Sequence, residues 1–186
     1  TPQAPTPSAP TPSGPLRRDA HKLKSPALSM DKPPPTIKGR KVAILLGEGV
    51  AAADVEAAVK ALDKAGLVPE TIGPRAGAIP TKGKALKVNR AAPNAPSVVY
   101  DAVLVPAGAG PGLAAKTLAQ RFLHEAWRHG KPIAVASDGE AFLEAAGVPA
   151  DTEGLAIADG ARLVTELVKH LGQHRFPRRG SQLKPD

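Results

Sequence analysis

Residues 40–66 read RKVAILLGEGVAAADVEAAVKALDKAG, and the fold class follows from them. Val42-Ala43-Ile44-Leu45-Leu46 is an uninterrupted apolar run, the pattern of a buried strand. Gly47-Glu48-Gly49 is a turn. From Ala52 to Ala65 the apolar period lengthens: Val55, Val59 and Leu62 share one helical face, Ala58, Ala61 and Ala65 lie beside them, and Gly66 is a helix stop. Strand, tight turn and amphipathic helix form the first half of a βαβ unit. The turn spells Gly47-x-Gly49-x-x-Ala52, the spacing of a dinucleotide fingerprint. It reads either as a cofactor turn or as the first βα turn of an α/β domain that binds no dinucleotide.

Working outward, residues 1–38 are expected to be a linker. Ten of the first 35 residues are proline, and Ala-Pro-Thr-Pro-Ser occurs twice in succession, a composition that favours extended polyproline II and has nothing to bury. Leu28 and Met30 form a small apolar patch within it that could dock on a surface. Residues 39–176 are the size of one ordinary domain, and 177–186 read as a basic tail. The net charge of +8 divides unevenly: residues 1–41 carry +6, 169–186 carry +4, and the body between them carries −2. A nucleic-acid domain would place its basic stripe on the folded face with aromatics among it. This body is slightly acidic and aromatics are 3% of the chain, so no nucleic-acid partner is expected. With no cysteine, disulfides, thiolate metal sites and a cysteine nucleophile are excluded. No run approaches the ~18 apolar residues of a membrane span, and the Pro-rich start lacks the apolar core of a signal peptide. A cytoplasmic location and no membrane partner are therefore expected. The chain opens on Thr1 rather than Met, as a piece of something longer would.

Further along, 68–72 read as a second strand with Pro69 at an edge or start position. Residues 77–97 read as a hairpin-like excursion, and 100–106 as a core strand. A single helix is expected over 113–129, burying Leu118, Phe122 and Ala126, with Leu123 and Trp127 beside them and Gly130 as the stop. Residues 132–136 form another buried strand, followed by a turn at Ser137-Asp138-Gly139 and a helix with Phe142, Leu143 and Ala146. A short strand follows at 155–157, and Asp159 is placed to cap a last helix bearing Leu163, Val164, Leu167, Val168 and Leu171. Strands alternating with helices give an α/β class with a mainly parallel sheet.

Ligands in such sheets bind at the carboxyl ends of the strands, which singles out the turns 47–51, 106–112 and 137–139. For a dinucleotide, Glu70 lies 21 residues past Gly49 but near the start of its strand, whose end is Gly73-Pro74-Arg75, and no substrate domain remains. Gly108 and Gly110, in Gly108-Ala109-Gly110-Pro111-Gly112, could turn backbone N–H groups toward an anion at a helix N-terminus, although no Gly-Lys-Ser/Thr follows. Ser137 sits on a strand-to-helix turn like a nucleophile elbow, yet the histidines downstream are His170 and His174 on the last helix. Those two stand at i,i+4, a metal-ligand spacing without an accompanying carboxylate motif, and are read as an exposed helix end. No metal site is expected.

Three segments carry a resemblance. Lys38-Gly39-Arg40-Lys41-Val42-Ala43-Ile44-Leu45 after a Ser-Pro-Ala-Leu-Ser linker, Pro96-Ser97-Val98-Val99-Tyr100-Asp101-Ala102-Val103-Leu104-Val105-Pro106, and Gln173-His174-Arg175 together resemble the C-terminal domain of large-subunit haem catalases. That domain is similar to the DJ-1/PfpI and class I glutamine amidotransferase superfamily. The resemblance implies a flavodoxin-like three-layer sandwich with a mainly parallel central sheet. Active superfamily members carry a cysteine where this chain has Ser137 and often a histidine where it has Asp138. Their glutamate falls near Val50 and Ala51, with Glu48 off position. The implication is a vestigial cleft of Glu48, Ser137 and Asp138 without catalysis and no cofactor on this chain. The parent would be a homotetrameric catalase holding heme in the core of the same polypeptide and disproportionating hydrogen peroxide. Alternatives are a DJ-1/PfpI-like hydrolase using Ser137, a nucleotide or flavin module using Gly47, Gly49, Gly108 and Gly110, and chaperone-like binding of unfolded chains.

Overall fold

The computed structural model describes residues 36–81 and 83–182. The segment 1–35, with the Leu28 and Met30 patch, and the last four residues lie outside them. The quoted stretch forms β1 (Lys41–Leu45) and α1 (Ala52–Lys64). β1 is central because it is apolar on both faces: Val42, Ala43, Ile44 and Leu46 have no exposed surface. Burying a side chain of the size of Val or Ile stabilises by roughly 1.5–3 kcal/mol, so a run of this kind cannot lie at an edge. β2 (Val68–Gly73) runs parallel to it from Lys41↔Val68 to Leu45↔Ile72.

β3 (Gly77–Ile79) and β4 (Leu86–Val88) make the expected antiparallel hairpin. β5 (Arg90–Ala91), not anticipated from the sequence, then adds two parallel residues to the outer edge of β2, beside Ile72 and Gly73. A knot holds it there: the Thr71 N–H donates to Asn89 Oδ1 at 2.9 Å, and the Asn89 N–H donates to the Thr71 carbonyl at 3.0 Å. Pro69 lies in the part of β2 that β5 leaves uncovered, where its missing N–H costs no ladder bond.

β6 (Ala102–Val105), β7 (Ile133–Val135) and β8 (Leu155–Ile157) complete a six-stranded sheet of order β5-β2-β1-β6-β7-β8, in which every pair is parallel. Leaving β5 aside, the strands stand in the flavodoxin-like order. α1 packs with α5 (Gly160–Gln173) on one face. On the other, α2 (Gly110–Ala114), α3 (Thr117–Arg128) and α4 (Glu140–Ala145) pack together. The α/β three-layer sandwich is thus the architecture of the described chain.

The single helix expected over 113–129 is two helices. Lys116 takes an extended conformation (φ −109°, ψ 102°) between α2 and α3. The Gln120 amide donates to the Ala114 carbonyl at 2.6 Å, occupying an acceptor that the break leaves unpaired. The break turns α3 relative to α2, so Leu118, expected in the core, is 51% exposed, while Phe122, Leu123, Ala126 and Trp127 are buried.

Packing also runs past residue 176. Arg179 is 1% exposed: Nε donates to the Glu153 carbonyl at 2.6 Å, Nη1 reaches the carbonyls of Lys131 (2.9 Å) and Trp127 (3.3 Å), and the guanidinium lies 5.2 Å from the Phe176 ring centroid.

Candidate functional site

The three turns singled out by the sequence meet at the carboxyl end of the sheet, and they meet backbone to backbone. A Cβ on Gly47 would collide with the Ala109 carbonyl. One on Gly49 (φ +104°) would lie 2.8 Å from the Gly108 carbonyl oxygen, and one on Gly108 (φ +81°) would strike the Gly49 carbonyl. Gly110 abuts the backbone of Asp138 and Gly139 in the same way, and Gly112 that of Glu48. The glycines allow three loops to close on one another. The backbone that comes up against Gly47 and Gly49 is that of Ala109 and Gly108.

Side chains finish the closure. Asp138 accepts the Gly108 N–H at 2.6 Å. Ser137 donates its hydroxyl to Asp159 Oδ2 at 2.7 Å and its N–H to Oδ1 at 3.1 Å. Those two bonds, hydroxyl first, hold the Asp159 carboxyl below its ordinary range. Asp159 does occupy the position before α5, but its side chain makes no capping bond to the helix. The expected cap is a tie between strand ends. The β7–β8 register foretells it: Val135 faces Ile157, and two residues on, Ser137 faces Asp159.

Glu48 lies elsewhere. It is exposed and lines an apolar cavity of ≈ 290 Å³ walled by Leu45, Ile72, Leu113, Leu118 and Phe122. Neither Ser137 nor Asp138 belongs to that wall.

Among the described residues, the hydrogen bonds of Ser137 run to Asp159 and none to a histidine. His174 approaches Asp101, its Nε2 3.8 Å from Oδ1; Asp101 precedes β6, at the opposite end of the sheet from Ser137. His170 meets the Phe176 ring edge-on at 5.7 Å. The exposed helix end expected for this pair is incorrect, because both are half-buried. Burial first, with neighbouring cations including Arg175 beside His174, lowers the pKa of each. Among the described residues no group of three His, Asp or Glu is placed to hold a metal.

The titratable groups that do cluster are structural. Glu70, weighed above for a ribose, accepts Tyr100 Oη at 2.8 Å, Arg90 Nε at 2.9 Å and Lys41 Nζ at 3.1 Å. Burial opposes its ionisation, but these bonds hold it below the usual range. Lys131 is buried, donates to the Ser97 carbonyl at 2.6 Å, and is pushed down to about 8 by desolvation and then by Arg175. No pattern in the sequence marked it, because its significance lies in burial alone.

Comparison with known proteins accords with this geometry. A family model described as the C-terminal domain found in long catalases matches residues 38–181. The chain is 36% identical over 157 residues to Catalase HPII of Pseudomonas putida, covering 82% of this chain and 22% of that protein. It is 35% identical over 164 residues to Catalase HPII of Pseudomonas aeruginosa (86% and 23%), and 33% identical over 136 residues to Catalase-2 of Bacillus subtilis (73% and 19%). The chain thus spans about a fifth of the length of these relatives. It belongs to the family of C-terminal domains found in long catalases.

Proposed function

We propose that this catalase C-terminal domain is a non-catalytic accessory of a haem catalase, contributing stability, access or assembly to a parent that disproportionates hydrogen peroxide. The match over residues 38–181 carries the reading. The site supports it from the other side: the three loops at the carboxyl end of the sheet approach one another backbone to backbone, and the elbow serine donates its hydroxyl to Asp159, not to a histidine.

The residues of this domain do not fit haem. Tyr100, the one tyrosine of the chain, is 1% exposed and its hydroxyl is committed to Glu70. Burial and that carboxylate push its pKa upward, away from the tyrosinate that would ligate iron. Of the histidines within the described residues, none lines the cavity beside Glu48. Haem therefore belongs to a core elsewhere in the polypeptide, and the partners of this domain are that core and the subunits of a parent tetramer. The acidic body argues against nucleic acid. A cytoplasmic parent is part of this reading; no helix among the described residues is long and apolar enough to cross a membrane.

The test is deletion of residues 36–182 from the parent holoenzyme. Expected are an unchanged haem spectrum and peroxide turnover, with earlier thermal inactivation or loss of the tetramer. Loss of haem binding, with the remaining core still folded, would overturn the reading.

A further inference from the structure

Three of the large apolar side chains exposed on the described domain lie together on or beside α3. The 3-10 turn Ser97–Val99 packs on α3 and exposes Val98 (68%) and Val99 (48%), and the break before α3 exposes Leu118 (51%). Val98, Leu118 and Pro93 line a hollow of ≈ 340 Å³ with Arg121, Glu125 and His129 at its edge. That hollow adjoins the ≈ 290 Å³ cavity beside Glu48, sharing Ala92, Leu118 and Phe122 with it. The result is a continuous apolar surface with a hole able to take a large side chain, ringed by charges of both signs. Such a surface marks a protein contact, with an anchor pocket of the kind that carries binding energy. The other large exposed apolar side chains, Val68 and Ile157, stand apart on β2 and β8.

We propose that this surface is where the domain docks on the catalase core that precedes it in the parent polypeptide. The inference rests on the function proposed above and adds the place of contact. Two observations choose the core over a second copy. About four-fifths of the length of the relatives lies outside this domain, so a tethered partner is always present. The patch is also built on few side chains. A free dimer typically buries about 1,200–2,000 Å², whereas tethering raises the effective concentration to roughly millimolar and lets a smaller contact hold.

Hydrogen exchange on the full-length holoenzyme tests it, comparing wild type with Val98→Glu/Leu118→Glu and with Val68→Glu/Ile157→Glu. All four positions are exposed in the domain, and unchanged protection of β6 confirms that each variant is folded. Amides of 92–99 and 117–121 should exchange about tenfold faster in the first variant, as a 1.4 kcal/mol loss of docking predicts, and at the wild-type rate in the second. Equal exchange in all three proteins, with the haem band present, overturns the docking surface alone. A change in subunit number without faster exchange assigns the patch to contacts between copies and also overturns it. A full-length protein without a haem band overturns the functional reading beneath it.

Discussion

Gly108 illustrates what single residues do in this domain. Its φ of +81° disfavours any side chain, and a Cβ would meet the Gly49 carbonyl. Gly108→Ala should therefore cost about 2–4 kcal/mol in urea unfolding, the sum of backbone strain and overpacking. Ser137 predicts something different. If its hydroxyl serves only Asp159, then Ser137→Ala should leave any activity of the parent unchanged and raise the Asp159 pKa toward its ordinary 3.8, read by carbon-detected NMR titration. A hydrolytic turnover abolished by the substitution would restore the nucleophile reading. The half-buried histidines set a pH dependence. His170 and His174 have folded pKa values below 6.5, so below that pH the unfolded chain binds protons the folded chain refuses. Stability is retained above 6.5 and falls as pH drops below it. Melting temperatures from pH 7.5 to 5.5 should decline, and His170→Gln/His174→Gln should flatten the decline.

At the scale of elements, local pattern was a sound guide where it was long and periodic. β1, α1 and α5 stand where their apolar periods put them. The break between α2 and α3 was not legible, because residues 113–129 contain no Gly or Pro, and what supports the break is a Gln120 side chain reaching back to Ala114. β5 was missed for a similar reason: two residues have no period, and their pairing depends on the Thr71–Asn89 knot. The C-terminal segment read as basic because composition does not show that one of its arginines turns inward. Arg179→Ala should cost about 2–4 kcal/mol, since three carbonyls lose a charged donor. Arg178→Ala nearby, at an exposed position, should stay within about 0.5 kcal/mol. Urea unfolding of the two variants checks both values.

For the whole molecule, the sequence carried the fold class further than the site. Alternating strands and helices imply a parallel sheet wherever they occur, whereas a site depends on which turns come together and on what fills the space between them. Gly47-x-Gly49-x-x-Ala52 matches a cofactor fingerprint letter for letter, yet its glycines admit another loop. Ser137 and Asp159 are 22 residues apart in sequence and bonded in space, visible only once β7 and β8 are known to be neighbours. In the function proposed above, this domain has no haem site or peroxide reaction of its own and serves a core that has both. The most direct test of that central claim is to mix the purified chain, and separately the full-length polypeptide, with hemin and hydrogen peroxide, recording the haem spectrum and oxygen release together. The account predicts a protein-bound haem band and oxygen from the full-length protein and neither from this chain; stoichiometric haem uptake with oxygen release by this chain would contradict it.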